Sequence, residues 1–174
     1  MGNLVWGVIM QAALGGNDMY ALKDLIAGYA QEGCVTWLGL RGERRGEMSV
    51  VDEALITEAG LEGDHGRAGK RAVTLIQAEH LQVIGAMLGQ GAIDVALMRR
   101  NIVVSGLNLN ALKARRVAVG AAVLEVTTIC APCSRMEETF GTGGYSAVRG
   151  HGGWCARVIV PGWVHVGSSV YPVD

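Results

Sequence analysis

Several class-defining features are scarce or missing in this chain of 174 residues. It has no basic excess: 15 Lys and Arg against 16 Asp and Glu give a net charge of −1. Broad electrostatic binding to nucleic acid or to an anionic membrane needs such an excess, so neither is expected as a partner. Four cysteines are too few for a disulfide scaffold. No stretch reaches the roughly 18 apolar residues of a spanning helix. Residues 1–17 carry no charged side chain, but Gly15, Gly16 and Asn17 interrupt the run and no basic residue opens it, which makes a poor signal peptide. The expectation is a soluble, cytoplasmic protein. The common catalytic signatures are absent as well. There is no Gly-x-Ser-x-Gly elbow, no phosphate loop ending in Gly-Lys-Ser/Thr and no His-Glu-x-x-His.

What is there suits one domain. Apolar residues make up 50% and charged residues 18%. At this length about two-thirds of the unfolded surface can be buried, so the core needs no disulfide or metal staple. Glycine, at 26 residues, is about twice its usual share, while proline numbers three. That combination implies tight turns and close backbone approaches. Of the basic residues 12 are Arg and 3 are Lys, and Arg forks suit carboxylates and phosphates.

The pattern along the chain is one of short strands. Asp18 is placed to cap a helix over Met19–Gln31, stopped by Gly33, with Leu22, Leu25, Ile26 and Tyr29 at helical spacing; it either packs against the main fold or is a partner-binding or dimer segment. Strands are expected at 35–40, 48–51, 71–76, 101–104, 117–119, 123–128, 154–160 and 169–173, with a loop at 60–66. A helix is expected at 79–88, a capped turn from Asp94 to Arg99, and a helical turn over Cys133–Phe140 opened by Pro132. Strands so placed do not make βαβ units. They predict a mainly β fold with a few helices, a mixed or antiparallel barrel.

Four local features could carry chemistry. Cys130-Ala131-Pro132-Cys133 can be a redox pair, half a zinc site, an activated thiol or two small buried hydrophobes. Zinc would take Cys155 and His151 as further ligands. Arg149-Gly150-His151-Gly152-Gly153-Trp154 can converge backbone N–H groups on an anion, or can simply be a tight loop entering a strand. In Asp64-His65-Gly66 the carboxylate could orient His65, with an Asx turn as the plainer alternative. Arg99-Arg100-Asn101 precedes a strand as a phosphate clamp or as a solvated pair. His80 and His165 read as structural.

The order of these features carries more than any one of them. Gly60-Leu61-Glu62-Gly63-Asp64-His65 is followed by Arg71-Ala72-Val73-Thr74-Leu75-Ile76, Arg99-Arg100-Asn101-Ile102 and Ser105-Gly106-Leu107-Asn108-Leu109. Leu124-Glu125-Val126-Thr127, Pro132-Cys133-Ser134-Arg135-Met136 and Gly152-Gly153-Trp154-Cys155-Ala156-Arg157-Val158 come next, with Pro161-Gly162 and Gly167 closing the set. This ordered set closely resembles the MOSC domain family, named for the C-terminal domain of molybdenum-cofactor sulfurase. The resemblance runs from about Val35 to Val170. It divides the chain into an N-terminal extension with one helix (1–32) and a small stand-alone MOSC domain (33–174).

The resemblance implies a MOSC-type closed mixed β-barrel, similar to the pyruvate-kinase β-barrel, and one functional cysteine at the position of Cys133. In the family that cysteine is held to carry sulfur as a persulfide or to ligate molybdenum in a pterin-bound cofactor. The matching activities are sulfur transfer and molybdenum-dependent reduction of N-hydroxylated compounds. On this basis Cys133 and His65 are the expected catalytic residues, and Cys133 is the metal ligand. The anion of a molybdenum-pterin cofactor would sit among Arg71, Arg99, Arg100, Asn101, Arg135, Arg149, Gly152 and Gly153. No pyridoxal-phosphate domain of its own is expected. A sulfur donor or an electron-transfer protein would be its partner, and it would act as a monomer or a homodimer. Two other functions stay open at this point: a non-catalytic cofactor-binding module, and a Cys130/Cys133 redox or zinc site.

Overall fold

The computed structural model describes residues 21–173. The barrel is built from seven strands: β1 (Gly33–Leu40), β5 (Val73–Gln77), β6 (Ile102–Ser105), β7 (Arg116–Val119), β8 (Ala122–Ile129), β9 (Trp154–Val160) and β11 (Ser169–Val173). The ring runs β1-β11-β7-β8-β9-β5-β6 and closes as β6 returns to β1. Every pairing in it is antiparallel except β5 with β6. Closure removes the exposed strand edges that an open sheet of this size would carry. β2 (Ser49–Val51) hangs on β1 outside the ring.

The one parallel pair needs a crossover, which α2 (Ala78–Met87) and α3 (Val95–Met98) supply. One βαβ unit is therefore present, against the sequence expectation of none. It explains why β5 lacks alternation. Val73 and Leu75 face the barrel interior, while Thr74 is held by a polar network and Ile76 lies under the helices. Two cores result. The barrel is filled by Leu38, Ile56, Leu75, Ile102 and Leu124. An outer core of Ile76, Ile84, Met98, Val103, Met136 and Val148 binds α2 to α4 (Ser134–Phe140) and α5 (Gly144–Val148). This outer core fixes the segments carrying Arg99, Arg100 and Cys133 against the barrel wall.

Several expected elements match within a few residues; the capped turn at Asp94 does so with its mechanism, as Asp94 Oδ1 accepts from Ala96 N–H at 2.9 Å. Others need correction. A small second sheet, β10 (Gly162–His165), β3 (Glu53–Thr57) and β4 (Gly60–Leu61), occupies ground read as loop and as a strand stop. The first helix is α1 (Leu22–Ala27), ending at Gly28, which is extended at φ −67° and ψ 150°, and Gly33 opens β1 rather than stopping a helix. The cap at Asp18 and the start at Met19 lie outside the described residues. Leu22, Leu25 and Ile26 are exposed among the described residues, not packed on the barrel. The segment is tied down at its exit by Arg115 Nη1–H to the Ala27 carbonyl at 3.2 Å and Gln31 Nε2–H to the Gly106 carbonyl at 3.2 Å.

Candidate functional site

The site grows from one buried amide. Asn101 is 0% exposed, between α3 and β6. Its Oδ1 accepts from Thr74 N–H at 3.1 Å, Thr74 Oγ1–H at 2.8 Å and Arg41 Nη2–H at 2.9 Å. Its Nδ2–H donates to the Gly39 carbonyl at 3.1 Å. Asn101 thus joins β1, β5 and β6 at one end of the barrel, and its side chain is committed to the protein rather than to a ligand.

Arg41, held there, grips Asp64. The Asp64 carboxylate accepts from Arg41 N–H at 2.6 Å, Nε–H at 3.0 Å and Nη2–H at 2.7 Å. Burial alone would raise the Asp64 pKa, but the Arg41 hydrogen bonds and charge outweigh it and hold the carboxyl below its ordinary range. Because the folded-state pKa is depressed, this pair stabilises the fold fully above the unfolded value near 3.8 and stops doing so as pH falls through the folded value. Asp64→Asn is expected to cost about 3 kcal/mol at pH 7, since it leaves Arg41 partly buried without its counter-charge. Urea denaturation of both proteins from pH 7 downward checks this: the gap should persist to about pH 4 and close below it.

Asp64 makes no hydrogen bond to His65; its Oδ2 accepts from Gly66 N–H at 3.1 Å, the Asx turn that was the plainer alternative. Instead the Arg41 carbonyl accepts from His65 N–H at 2.9 Å and lies 2.7 Å from His65 Nδ1. A carbonyl can only accept, so Nδ1 carries the proton and Nε2 is left as the free ring nitrogen. Asp64 positions His65 through Arg41.

Arg99 caps α3 in the left-handed region at φ 54°, uncommon for a side chain of this size. The reversal sends the Arg99 and Arg100 side chains different ways. Arg99 reaches the 41–48 loop, donating to the Gly46 and Glu43 carbonyls. Arg100 turns inward, 7% exposed, and donates to the carbonyls of Gly152 at 2.7 Å, Met98 at 2.5 Å and Cys130 at 3.5 Å. It fastens three segments together with one guanidinium.

These residues surround a cavity of about 310 Å³. Cys133 lines it as the N-cap of α4, exposed and extended at φ −132° and ψ 175°. His65, Arg99, Arg100 and Arg135 line it too, with Arg41, Arg44 and Arg45. Six of its eleven lining residues are arginine and none is acidic, so it is built for an anion. Burial, then the charges of Arg135 and Arg41, push the Arg99 pKa below its usual value. A bound anion would relieve that crowding. A neighbouring cavity of about 350 Å³ shares Arg45, Arg99 and Arg135 and adds Met48, Ala96 and Leu97 as an apolar wall.

The other expected residues lie elsewhere. Arg149, Gly152 and Gly153 line a separate cavity of about 40 Å³ beside Cys130. Arg71 is exposed and lines neither; its charge acts on Cys130 and Cys155. Cys130, Cys133, Cys155 and His151 do not form the zinc set considered from sequence: among the described residues no three His, Cys, Asp or Glu converge on a metal position. Arg41, Arg44 and Arg45 were not singled out from sequence. The signal was the glycine-flanked basic run Arg41-Gly42-Glu43-Arg44-Arg45-Gly46, which follows a strand.

Among the described residues no helix is long and apolar enough to cross a membrane. No curated protein matches the chain in sequence. Solved structures similar to it include the YuaD protein from Bacillus subtilis, at 17% identity and a TM-score of 0.71 over 80% of this chain and 94% of that one. YiiM from Escherichia coli matches at 23% identity and a TM-score of 0.65, over 83% of this chain and 71% of that one. YiiM from Geobacillus stearothermophilus matches at 15% identity and a TM-score of 0.68, over 82% and 75%. At these identities the likeness is one of fold. The family model of the MOSC domain matches residues 62–171. Taken with the closed mixed barrel, that match places the chain in the MOSC domain family, which is associated with molybdenum-cofactor binding.

Proposed function

We propose that the arginine-lined cavity binds a molybdenum-pterin cofactor, with the Cys133 sulfur as a ligand to molybdenum. The observation that carries this reading is an exposed cysteine in a cavity with six arginines and no carboxylate in its wall. The donor set suits the group. A thiolate is a soft ligand of the kind that favours molybdenum, and guanidinium forks suit a phosphate. When bound, the cofactor would supply two-electron chemistry at the metal.

The chain's own residues have separable tasks. Arg45, Arg99 and Arg135, shared by both cavities, hold the phosphate. Arg41, pinned by Asp64 and Asn101, gives the cavity a fixed positive wall. His65, with Nδ1–H held by the Arg41 carbonyl, offers Nε2 for proton transfer. Arg100 keeps the Cys130–Cys133 segment against the barrel. Asn101 and Arg100 thus serve the site as positioning residues. Arg149, Gly152 and Gly153 fall outside the proposed phosphate set, and so does Arg71. With a resident metal the reaction would be reduction of N-hydroxylated compounds, fed by an electron-transfer protein. A persulfide carrier is the second reading, favoured by the exposure of Cys133 to a partner's sulfur.

Anaerobic titration of the apoprotein with isolated pterin cofactor, followed by pterin fluorescence, tests the binding claim. Arg99→Ala/Arg135→Ala is expected to weaken binding at least about tenfold, or 1.4 kcal/mol. Raising the salt is expected to weaken binding to the parent as well. Equal affinity of the parent and the double variant would contradict the assignment.

A further inference from the structure

The Cys-x-x-Cys segment does not operate as a pair. Pro132 and the extended backbone at Cys133 carry that residue into the arginine cavity, while Cys130 stays at the end of β8. In the β8–β9 ladder Thr128 lies opposite Cys155 and Ile129 opposite Trp154, and Cys130 N–H donates to the Gly153 carbonyl at 2.8 Å. Side chains alternate along a strand, so Cys130, two residues beyond Thr128, shares a face with Cys155 as its diagonal neighbour. Gly153, opposite Cys130, places no side chain between them. The register thus sets the buried Cys155 beside the half-buried Cys130 on one face of the sheet.

The surroundings make the two thiols unequal. The Cys155 hydrogen bond lowers the Cys130 pKa, and the charges of Arg100, Arg41 and Arg71 lower it further, to about 6, although burial opposes them. The same hydrogen bond, burial and the Cys130 charge raise the Cys155 pKa. Cys130 therefore holds the negative charge and Cys155 the proton. Cys130 also lines the cavity of about 40 Å³ that includes Arg149 and Trp154. A water needs roughly 10–15 Å³. This space takes a molecule of a few atoms and excludes a pterin or a tripeptide thiol.

We propose that Cys130 and Cys155 are a redox-active dithiol, which hydrogen peroxide entering the small cavity oxidises to an intramolecular disulfide. The Cys130 thiolate attacks peroxide; an S–O bond forms, the O–O bond breaks, and hydroxide leaves. Hydroxide takes up the proton that Cys130 released on ionising, giving the first water. Loss of the Cys130 charge removes one cause of the raised Cys155 pKa. The Cys155 sulfur then attacks the sulfenic sulfur; an S–S bond forms, the S–O bond breaks, and the Cys155 proton leaves with the oxygen as the second water. Two thiols lose two electrons and one peroxide becomes two waters. Diagonal strand neighbours lie at about 7–8 Å, slightly beyond the usual disulfide Cα span of about 4.4–6.8 Å. Closing the bond therefore draws the end of β8 toward β9, and with it the segment leading to Cys133.

The experiment is peroxide treatment of the full chain, followed by intact mass and tryptic mapping. Trypsin leaves Cys130 and Cys133 together in 117–135 and Cys155 in 150–157. The expected result is a loss of 2 Da with those two peptides linked, in the parent and in Cys133→Ser alike. Cys155→Ala is expected to keep its mass pattern free of that link and to hold a sulfenic acid at Cys130, which dimedone labels when the chain is unfolded in its presence. A disulfide within 117–135, or oxidation of Cys34 or Cys133 while Cys130 stays reduced, would overturn the proposal. Persistence of the link in Cys133→Ser separates this centre from the cofactor assignment, which depends on Cys133.

Discussion

Asn101→Ala is expected to destabilise the fold by about 4 kcal/mol, a large fraction of the roughly 5–15 kcal/mol that holds such a domain together. The substitution removes an amide that satisfies Thr74, Gly39 and Arg41 at once, in a place water does not reach. Each buried polar group left without its partner costs about 1–3 kcal/mol, and here several are orphaned together. Urea denaturation at pH 7 measures the effect. A loss below about 1 kcal/mol would mean that the network relaxes around the gap and that Asn101 is not the joint between β1, β5 and β6. Cofactor binding should fall with it, because Arg41 loses the acceptor for one Nη2 hydrogen bond.

Cys133→Ala is expected to reduce turnover, as reductase or as sulfur carrier, by at least about 100-fold. Loss of outer-shell partners alone costs about 10–100-fold at metal sites, and here the proposed ligand itself goes. Affinity for the metal-free pterin phosphate should change by less than about threefold, since the arginines that carry it are untouched, whereas the molybdenum-loaded cofactor loses its ligand. Assay with an external electron donor and an N-hydroxylated substrate, together with cyanide-releasable sulfur, covers both chemistries. Retained turnover in both assays would remove Cys133 from the mechanism. The fold is not at risk in this variant, because the Cys133 side chain is exposed and makes no cap hydrogen bond.

Much of the barrel was legible because its strands are short, rich in branched residues and set off by glycine, as in Val123–Thr128 and Trp154–Val160. Val73–Gln77 shows where pattern reading stops. It is buried on both faces, so its residues do not reveal that its partner β6 runs parallel to it or that helices cover its outer side. The second small sheet was missed because β4 is two residues long and β10 begins straight after a proline.

The site was legible in part for a related reason. Cys133, His65, Arg99, Arg100 and Arg135 stand in recognisable local settings, and they do line one cavity. The role of each was not written locally. Arg99 and Arg100 are adjacent in sequence, yet a left-handed backbone at Arg99 sends one to the 41–48 loop and the other inward to three carbonyls. Asn101 read as a ligand-facing amide and is a buried joint. Arg41 was overlooked because its partners, Asp64 and Asn101, lie 23 and 60 residues away in sequence. Cys133 is the neighbour of Cys130 in sequence, whereas the β8–β9 register puts Cys130 on the same face as Cys155, 25 residues away.

The most direct measurement is elemental analysis of the protein purified anaerobically from a host that makes molybdenum cofactor. Cys133 as a ligand in an arginine-lined cavity predicts near-stoichiometric molybdenum in the parent and little in Cys133→Ala. A parent protein that carries no molybdenum under these conditions, or a Cys133→Ala protein that retains it in full, would contradict that assignment.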